Sequence, residues 1–302
     1  MNNLRFDVNK TYKISNKLLK VECKGNKCYA IKKTDYSVNE KYKLLYNQGV
    51  NNILFPIRQD ANSYVIKENG DYFLYLNYLK KDTLSEEYLA DKMINELSKI
   101  HDITKYKKVL NSKKTKFKME EIYEYLLYKF DLIESFVRSV ENKPFNENSI
   151  IILKNYRYIL DTKKIMARLQ KKIIIDIKNN KSVYFSFVHN NPKNSHLIIN
   201  NGSSFLISFE KSKLGIPALD IVKFYLFNES LNIDIKEMII NYLNIYEDEF
   251  YLNYFYFFVM LYYIKGIVVI NNGYITSQSF AFASDKLKQF INRFGLDETS
   301  KN

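Results

Sequence analysis

The sequence predicts an α+β chain with a small β-rich N-terminal lobe and a large helical C-terminal lobe. Three observations carry this. Over about the first 80 residues, short runs rich in Tyr, Val, Ile and Leu are separated by turn residues. From Ser85 the apolar spacing lengthens to a helical period. A second β-rich island, residues 183–210, then interrupts the helices and carries a conspicuously polar loop. Strands and helices do not alternate one for one, which sets the chain apart from doubly wound and barrel folds.

In order, "KTYKI", "LLKVEC" and "CYAIKK" read as strands. If Gly25-Asn26 makes a two-residue hairpin turn, Cys23 and Cys28 face each other across it, although reduced thiols in a cytoplasmic protein are the favoured state. Asp35–Gly49 reads as one helix, with Leu44 and Leu45 on its apolar stripe and Gly49 as its stop. "NILFPIR", "SYVIKE" and "YFLYLNYL" continue as strands, turning at Asn69-Gly70-Asp71. Residues 1–80 therefore form one lobe, a five-stranded antiparallel sheet with one helix, and residues 81–302 the other. In the second lobe, Leu89, Met93, Leu97 and Ile100 mark a helix ending at His101. Lys116–Lys178 offers two or three more helices. "VYFSFVH", "HLIIN" and "FLISFE" form the island, and the chain is helical again from Ala218.

Composition excludes several classes. Two cysteines cannot build a disulfide framework or a zinc cluster. The N-terminus lacks an apolar signal segment, so a cytoplasmic protein is expected, with spore association as a variant of that reading. Phe250–Ile270 is strongly apolar, but through Tyr and Phe, and it contains Asn253 and Lys265. A buried helix explains it better than a membrane span. The net charge of +13 comes from lysines spread along the chain, alongside abundant Asn, Ile and Tyr and no Trp, as an AT-rich genome produces. No specific nucleic-acid motif is present, while a polyanionic partner stays open.

Three stretches carry chemistry. "LADKMINELSKIHD" closes a helix on His101; "VHNNPKNSHLII" holds His189 and His196 with no carboxylate; "FLISFEKSKLGIPALDIVKF" joins an acid-bearing strand to Gly215-x-Pro217-x-x-Asp220. In this order and spacing they resemble the kinase-like phosphotransferases: aminoglycoside phosphotransferases, choline kinases and the spore-coat kinase-like proteins. The resemblance spans nearly the whole chain and implies a two-lobed protein-kinase-like fold that binds ATP with magnesium.

Set against the family's motifs, the site is degenerate. The resemblance puts Asn191 where the catalytic Asp belongs, His196 at the loop's metal-binding Asn, and Ser208 at the metal-binding Asp, with Glu210 kept two residues on. An amide cannot accept a proton at neutral pH, and a general base typically contributes about 10²- to 10⁴-fold. Magnesium is a hard, oxygen-seeking ion, poorly served by Ser and His in place of Asp and Asn. Within the same frame Lys32 is the phosphate lysine, with Lys33 as the register alternative, and Glu40 on the next helix is its ion-pair partner. Leu76-Asn77-Tyr78 is the hinge, with Leu76 and Tyr78 beside the adenine. His189 supports the loop, His101 packs beneath it, and Asp220 binds loop backbone. The turn at Ser15-Asn16-Lys17 lacks the glycines that favour close approach to phosphates.

The expected function is therefore a kinase-like binding or scaffold protein with little or no phosphotransfer. ATP is its cofactor, with weak or absent magnesium, and its partner is a small molecule or protein. Two alternatives stand beside it: a divergent phosphotransferase using Glu210 as main metal ligand, and a basic protein that docks on polyanions.

Overall fold

The N-terminal sheet begins with β1 (Val8–Ser15), β2 (Leu18–Cys23) and β3 (Lys27–Thr34). The computed structural model describes residues 7–60, 63–110, 113–270 and 272–296. The β2–β3 connection has three residues, Lys24–Asn26, with Gly25 and Asn26 at φ 75° and 57°. That odd length shifts the register by one, so Cys23 lies opposite Lys27 and Cys28 opposite Glu22. The two cysteines are not a directly facing pair as the two-residue turn required, and both thiols are free.

After β3 comes α1 (Val38–Asn47), whose buried face is Val38, Asn39, Tyr42 and Leu45. Tyr42 packs among Phe55, Tyr64 and Phe209 at ring-centroid distances of 5.9–6.1 Å. The expected strand "NILFPIR" does not join the sheet. It is an extended connection with one isolated parallel bridge, Ile53 to Leu206, since Pro56 has no N–H to give a ladder. β4 (Val65–Glu68) and β5 (Asp71–Asn77) follow, turning through Asn69 and Gly70 at φ 50° and 87°, the positive-φ pair of a type I′ hairpin. The five strands run antiparallel in the order β1-β2-β3-β5-β4, which puts β3 at the centre.

α2 (Glu86–Thr104) is capped by Ser85, whose side chain accepts from Tyr88 N–H, and runs three residues beyond His101. β6 (Tyr106–Val109), α3 (Lys113–Glu141) and α4 (Glu147–Lys178) come next, so the expected two or three helices are two. The island contains β7 (Ser182–Val188), β8 (Leu197–Asn200), β9 (Ser203–Leu206) and a short β10 (Lys213–Gly215) antiparallel to β7. The expected strand "FLISFE" stops at Leu206, because Ser208 turns left-handed and Phe209–Lys211 forms a 3₁₀ turn. α5 (Ala218–Asn228), α6 (Ile235–Asn244), α7 (Glu249–Gly266) and α8 (Gly273–Phe294) complete the chain.

Two compact units result: residues 1–106 with 184–235, and residues 107–183 with 236–302. The second is helical, and its α7 is the aromatic stretch noted above. Phe255 lies within 6 Å of Phe290 and Phe294 of α8, and Phe250, Phe257 and Met260 are buried. Among the described residues no helix is long and apolar enough to cross a membrane. The first unit contains every candidate site residue.

Candidate functional site

Lys32 stands on the central strand, opposite Leu18 of β2 and Leu74 of β5, which fixes its direction. Its Nζ lies 2.6 Å from Glu210 Oε1 and donates to Ser208 Oγ at 3.0 Å. Lys33, the register alternative, pairs instead with Asp71 at 2.5 Å. Glu40 does not meet Lys32. Its carboxylate binds Lys43 one turn along α1, on the exposed side. The next residue of α1, Lys41, reaches the site instead and donates to the backbone carbonyl of Glu210 at 2.5 Å.

Burial alone pushes the Glu210 carboxyl up. The Lys32 ammonium and the residue's own backbone N–H outweigh it and hold the group below the usual range. Ser208 keeps a left-handed backbone, φ 71° and ψ 53°, at a cost of about 1 kcal/mol for a residue with a Cβ. That twist drops Phe209 into the core, edge-on to His189 at 4.9 Å and against Tyr42.

The polar loop is held from beneath by Asp220, in the first turn of α5. The fully buried carboxylate accepts the N–H groups of His189 and Asn190, both at 2.6 Å, and His101 Nε2 at 3.0 Å. Gly215 lets β10 lie close behind: a Cβ there would stand 3.3 Å from Val188. His189 Nδ1 accepts the Asn191 N–H at 3.3 Å, so Nε2 carries the proton and donates to Ile207 O at 2.8 Å. Burial lowers the His189 pKa and keeps the ring neutral. His196 Nδ1 donates to Asn191 O at 2.9 Å, which leaves Nε2 as a lone-pair acceptor. Burial, and more weakly the Lys32 ammonium, bring its pKa down to about 4. Asn191 and His196 both line the cavity above the loop.

A second, apolar cavity of about 130 Å³ adjoins Lys32. Its walls include Ala30, Leu74, Leu76, Ile198 and Ile207, with Ser208 and Glu210 beside the lysine. A cavity of roughly 150 Å³ suffices to hold a benzene ring. At the hinge, Tyr78 N–H is spent on Cys28 O at 2.9 Å, and Leu76 lies opposite Ala30 in the same ladder. The expected backbone groups of Leu76 and Tyr78 thus face β3. By the alternation of an antiparallel ladder, Asn77 turns its N–H and C=O away from β3, on the side where β4 has already ended.

No family model and no curated protein sequence matches the chain. Solved structures do. An aminoglycoside phosphotransferase from Alicyclobacillus acidocaldarius superposes with a TM-score of 0.68 over 97% of this chain and 92% of that one, at 10% identity. The chain has the aminoglycoside phosphotransferase fold. A thermostable mutant of the aminoglycoside phosphotransferase APH(4)-Ia matches with a TM-score of 0.51, 11% identity and 94% of each chain covered. An amicoumacin kinase in complex with AMP-PNP, Ca²⁺ and Ami gives 0.51 at 10% identity, over 93% of this chain and 88% of that one.

Ser208, His196 and Glu210, which the sequence resemblance sets at metal positions, do not fit magnesium. The ion asks for near-octahedral oxygen ligation, usually with one or two carboxylates. Here Glu210 is engaged by Lys32, and Ser208 and His196 supply a hydroxyl and an imidazole. Among the described residues no group of three or more His, Cys, Asp or Glu is placed to hold a metal. The structure thus brings together Lys32, Ser208, Glu210, Asn191 and His196 and leaves Glu40 outside. It adds Lys41 and, within the expected hinge, singles out Asn77. Strand alternation through "LYLNYL" held the signal for Asn77, whereas nothing in the sequence marked Lys41.

Proposed function

We propose that this chain is a pseudokinase: a nucleotide-binding or scaffold protein of the aminoglycoside phosphotransferase fold with little or no phosphotransfer. The Lys32–Glu210–Ser208 cluster carries the reading. The phosphate lysine and an apolar slot for a base are retained together, while the acid that remains is bound to the lysine instead of standing free. The loop offers no matched base either. Asn191 is an amide, and His196 with a pKa of about 4 is too weak a base to drive proton removal near neutral pH. Retention of Asp220 with its three hydrogen bonds supports the same reading, because it holds the loop's shape where the loop's chemistry has gone. The partner is a small molecule or a protein docked on this frame.

A divergent phosphotransferase is the second reading, favoured by the ionised Glu210 carboxylate at the cavity wall. It requires Lys32 to release Glu210 to a metal when nucleotide enters. Calorimetric titration of ATP into the wild type and Lys32→Ala, paired with a phosphate-release assay, separates the two. Binding lost in the variant, with no phosphate released by the wild type, supports the pseudokinase. Magnesium-dependent turnover at ordinary rates overturns it.

A further inference from the structure

We propose that the polar cavity beyond Lys32 takes the diphosphate of a nucleotide without a divalent cation, lysine ammonium groups doing the neutralising. This rests on the reading above that a nucleotide occupies the apolar slot, and it adds the charge state and the residues of the phosphate subsite. The cavity measures about 360 Å³ and is walled by Lys17, Lys32, Lys33 and Lys211 against the carboxylates of Asp35 and Glu210. With Lys33 neutralised by Asp71, Lys17, Lys32 and Lys211 stand against Asp35 and Glu210, which leaves the wall net positive by one charge before any ligand arrives. A dication entering alone meets that charge, whereas a diphosphate is drawn to it.

The lysines divide by commitment. Lys33 is tied to Asp71 and Lys32 to Glu210. Among the described residues Lys17 and Lys211 have no ion pair, and they enter from different walls. Lys17 sits in the β1–β2 turn, its carbonyl accepting Lys33 N–H at 2.9 Å. Lys211 ends the 3₁₀ turn that Ser208 begins. The β1–β2 turn lacks glycine, so close backbone approach to phosphate is unavailable there, and a long ammonium-bearing side chain reaches the ligand instead. The three former metal and base positions point the same way, since Asn191, His196 and Ser208 bring no negative charge to repel phosphate oxygens.

The test is calorimetric titration of adenosine and of ADP into the full chain, in EDTA and in excess magnesium, for the wild type and a Lys17→Ala/Lys211→Ala variant. The expected result is that ADP binds in EDTA on the order of tenfold or more tighter than adenosine, as one or two charge-assisted contacts provide. Magnesium leaves that affinity unchanged or weakens it. The variant loses the advantage of ADP yet keeps adenosine affinity, which also shows that it is folded. Equal affinity for adenosine and ADP overturns the phosphate subsite while the nucleotide reading stands. ADP binding that appears only with magnesium overturns the metal-free subsite. Absence of binding by either ligand overturns the nucleotide reading and this inference with it.

Discussion

Lys32 Nζ lies 2.6 Å from Glu210 Oε1, while Glu40, the acid on the neighbouring helix, faces away toward Lys43. The ion pair of this site is therefore made with the segment that follows β9. Glu40→Ala is expected to leave both the thermal midpoint and nucleotide affinity as they are in the wild type. Glu210→Ala frees Lys32, so it lowers the midpoint and tightens ADP binding. Differential scanning fluorimetry with and without ADP reads both; a Glu40→Ala protein that loses nucleotide would contradict the pairing.

Asp220 anchors the loop through three donors: two backbone N–H groups and the His101 ring. Removing the carboxylate takes away the acceptor of all three bonds, at about 1 kcal/mol each. Asp220→Ala is thus expected to destabilise the protein by about 3 kcal/mol in urea denaturation. A loss below about 1 kcal/mol would show that the loop does not depend on this anchor.

Ser208 occupies a left-handed backbone position that Asp tolerates well, so Ser208→Asp folds without new strain. The added carboxylate beside Glu210 supplies a second hard oxygen ligand. Nucleotide affinity should then respond to magnesium in the variant and not in the wild type. Titrations in EDTA and magnesium compare the two directly; a variant as indifferent to magnesium as its parent would refute the role given to this position.

Stability should fall as the solution is acidified from about pH 6.5 to 4. Burial brings His196 to about 4 and also lowers His189, so the unfolded chain, whose histidines titrate near 6.5, binds more protons across that window. The folded state gains nothing above 6.5 and loses ground progressively below it. For His196 the loss is on the order of 1–2 kcal/mol, allowing for solvent screening at a half-buried ring. Glu210, held below the usual carboxylate range, adds in the same direction at the acid end. Denaturation midpoints of wild type and His196→Gln measured across the window should converge toward acid pH; parallel curves would exclude the His196 contribution.

The β-rich beginning and the helical remainder were legible because strand and helix periods differ and the turns carry their own residues, as at Asn69-Gly70. The compact units are cut elsewhere, the first taking in residues 184–235 as well. The misses have local causes. Pro56 cannot donate to a ladder, so "NILFPIR" runs beside the sheet instead of within it. Ser208 turns left-handed without a glycine to announce it, which cut "FLISFE" short. On α1 each residue rotates the side chain about 100°, enough to exchange Glu40 for Lys41 at the site. The reading of Asn191, His196 and Ser208 as departures rests on the resemblance alone, because it depends on which residue stands in a motif and not on how the backbone bends.

The central claim is that the frame of the fold persists while its phosphotransfer chemistry does not. A single-turnover experiment with γ-labelled ATP and excess protein, in magnesium and in EDTA, tests it most directly. The account predicts that ATP is retained by the wild type and recovered intact under both conditions. Magnesium-dependent conversion of the bound ATP to ADP, with the label released or passed to an added alcohol or aminoglycoside, would contradict it.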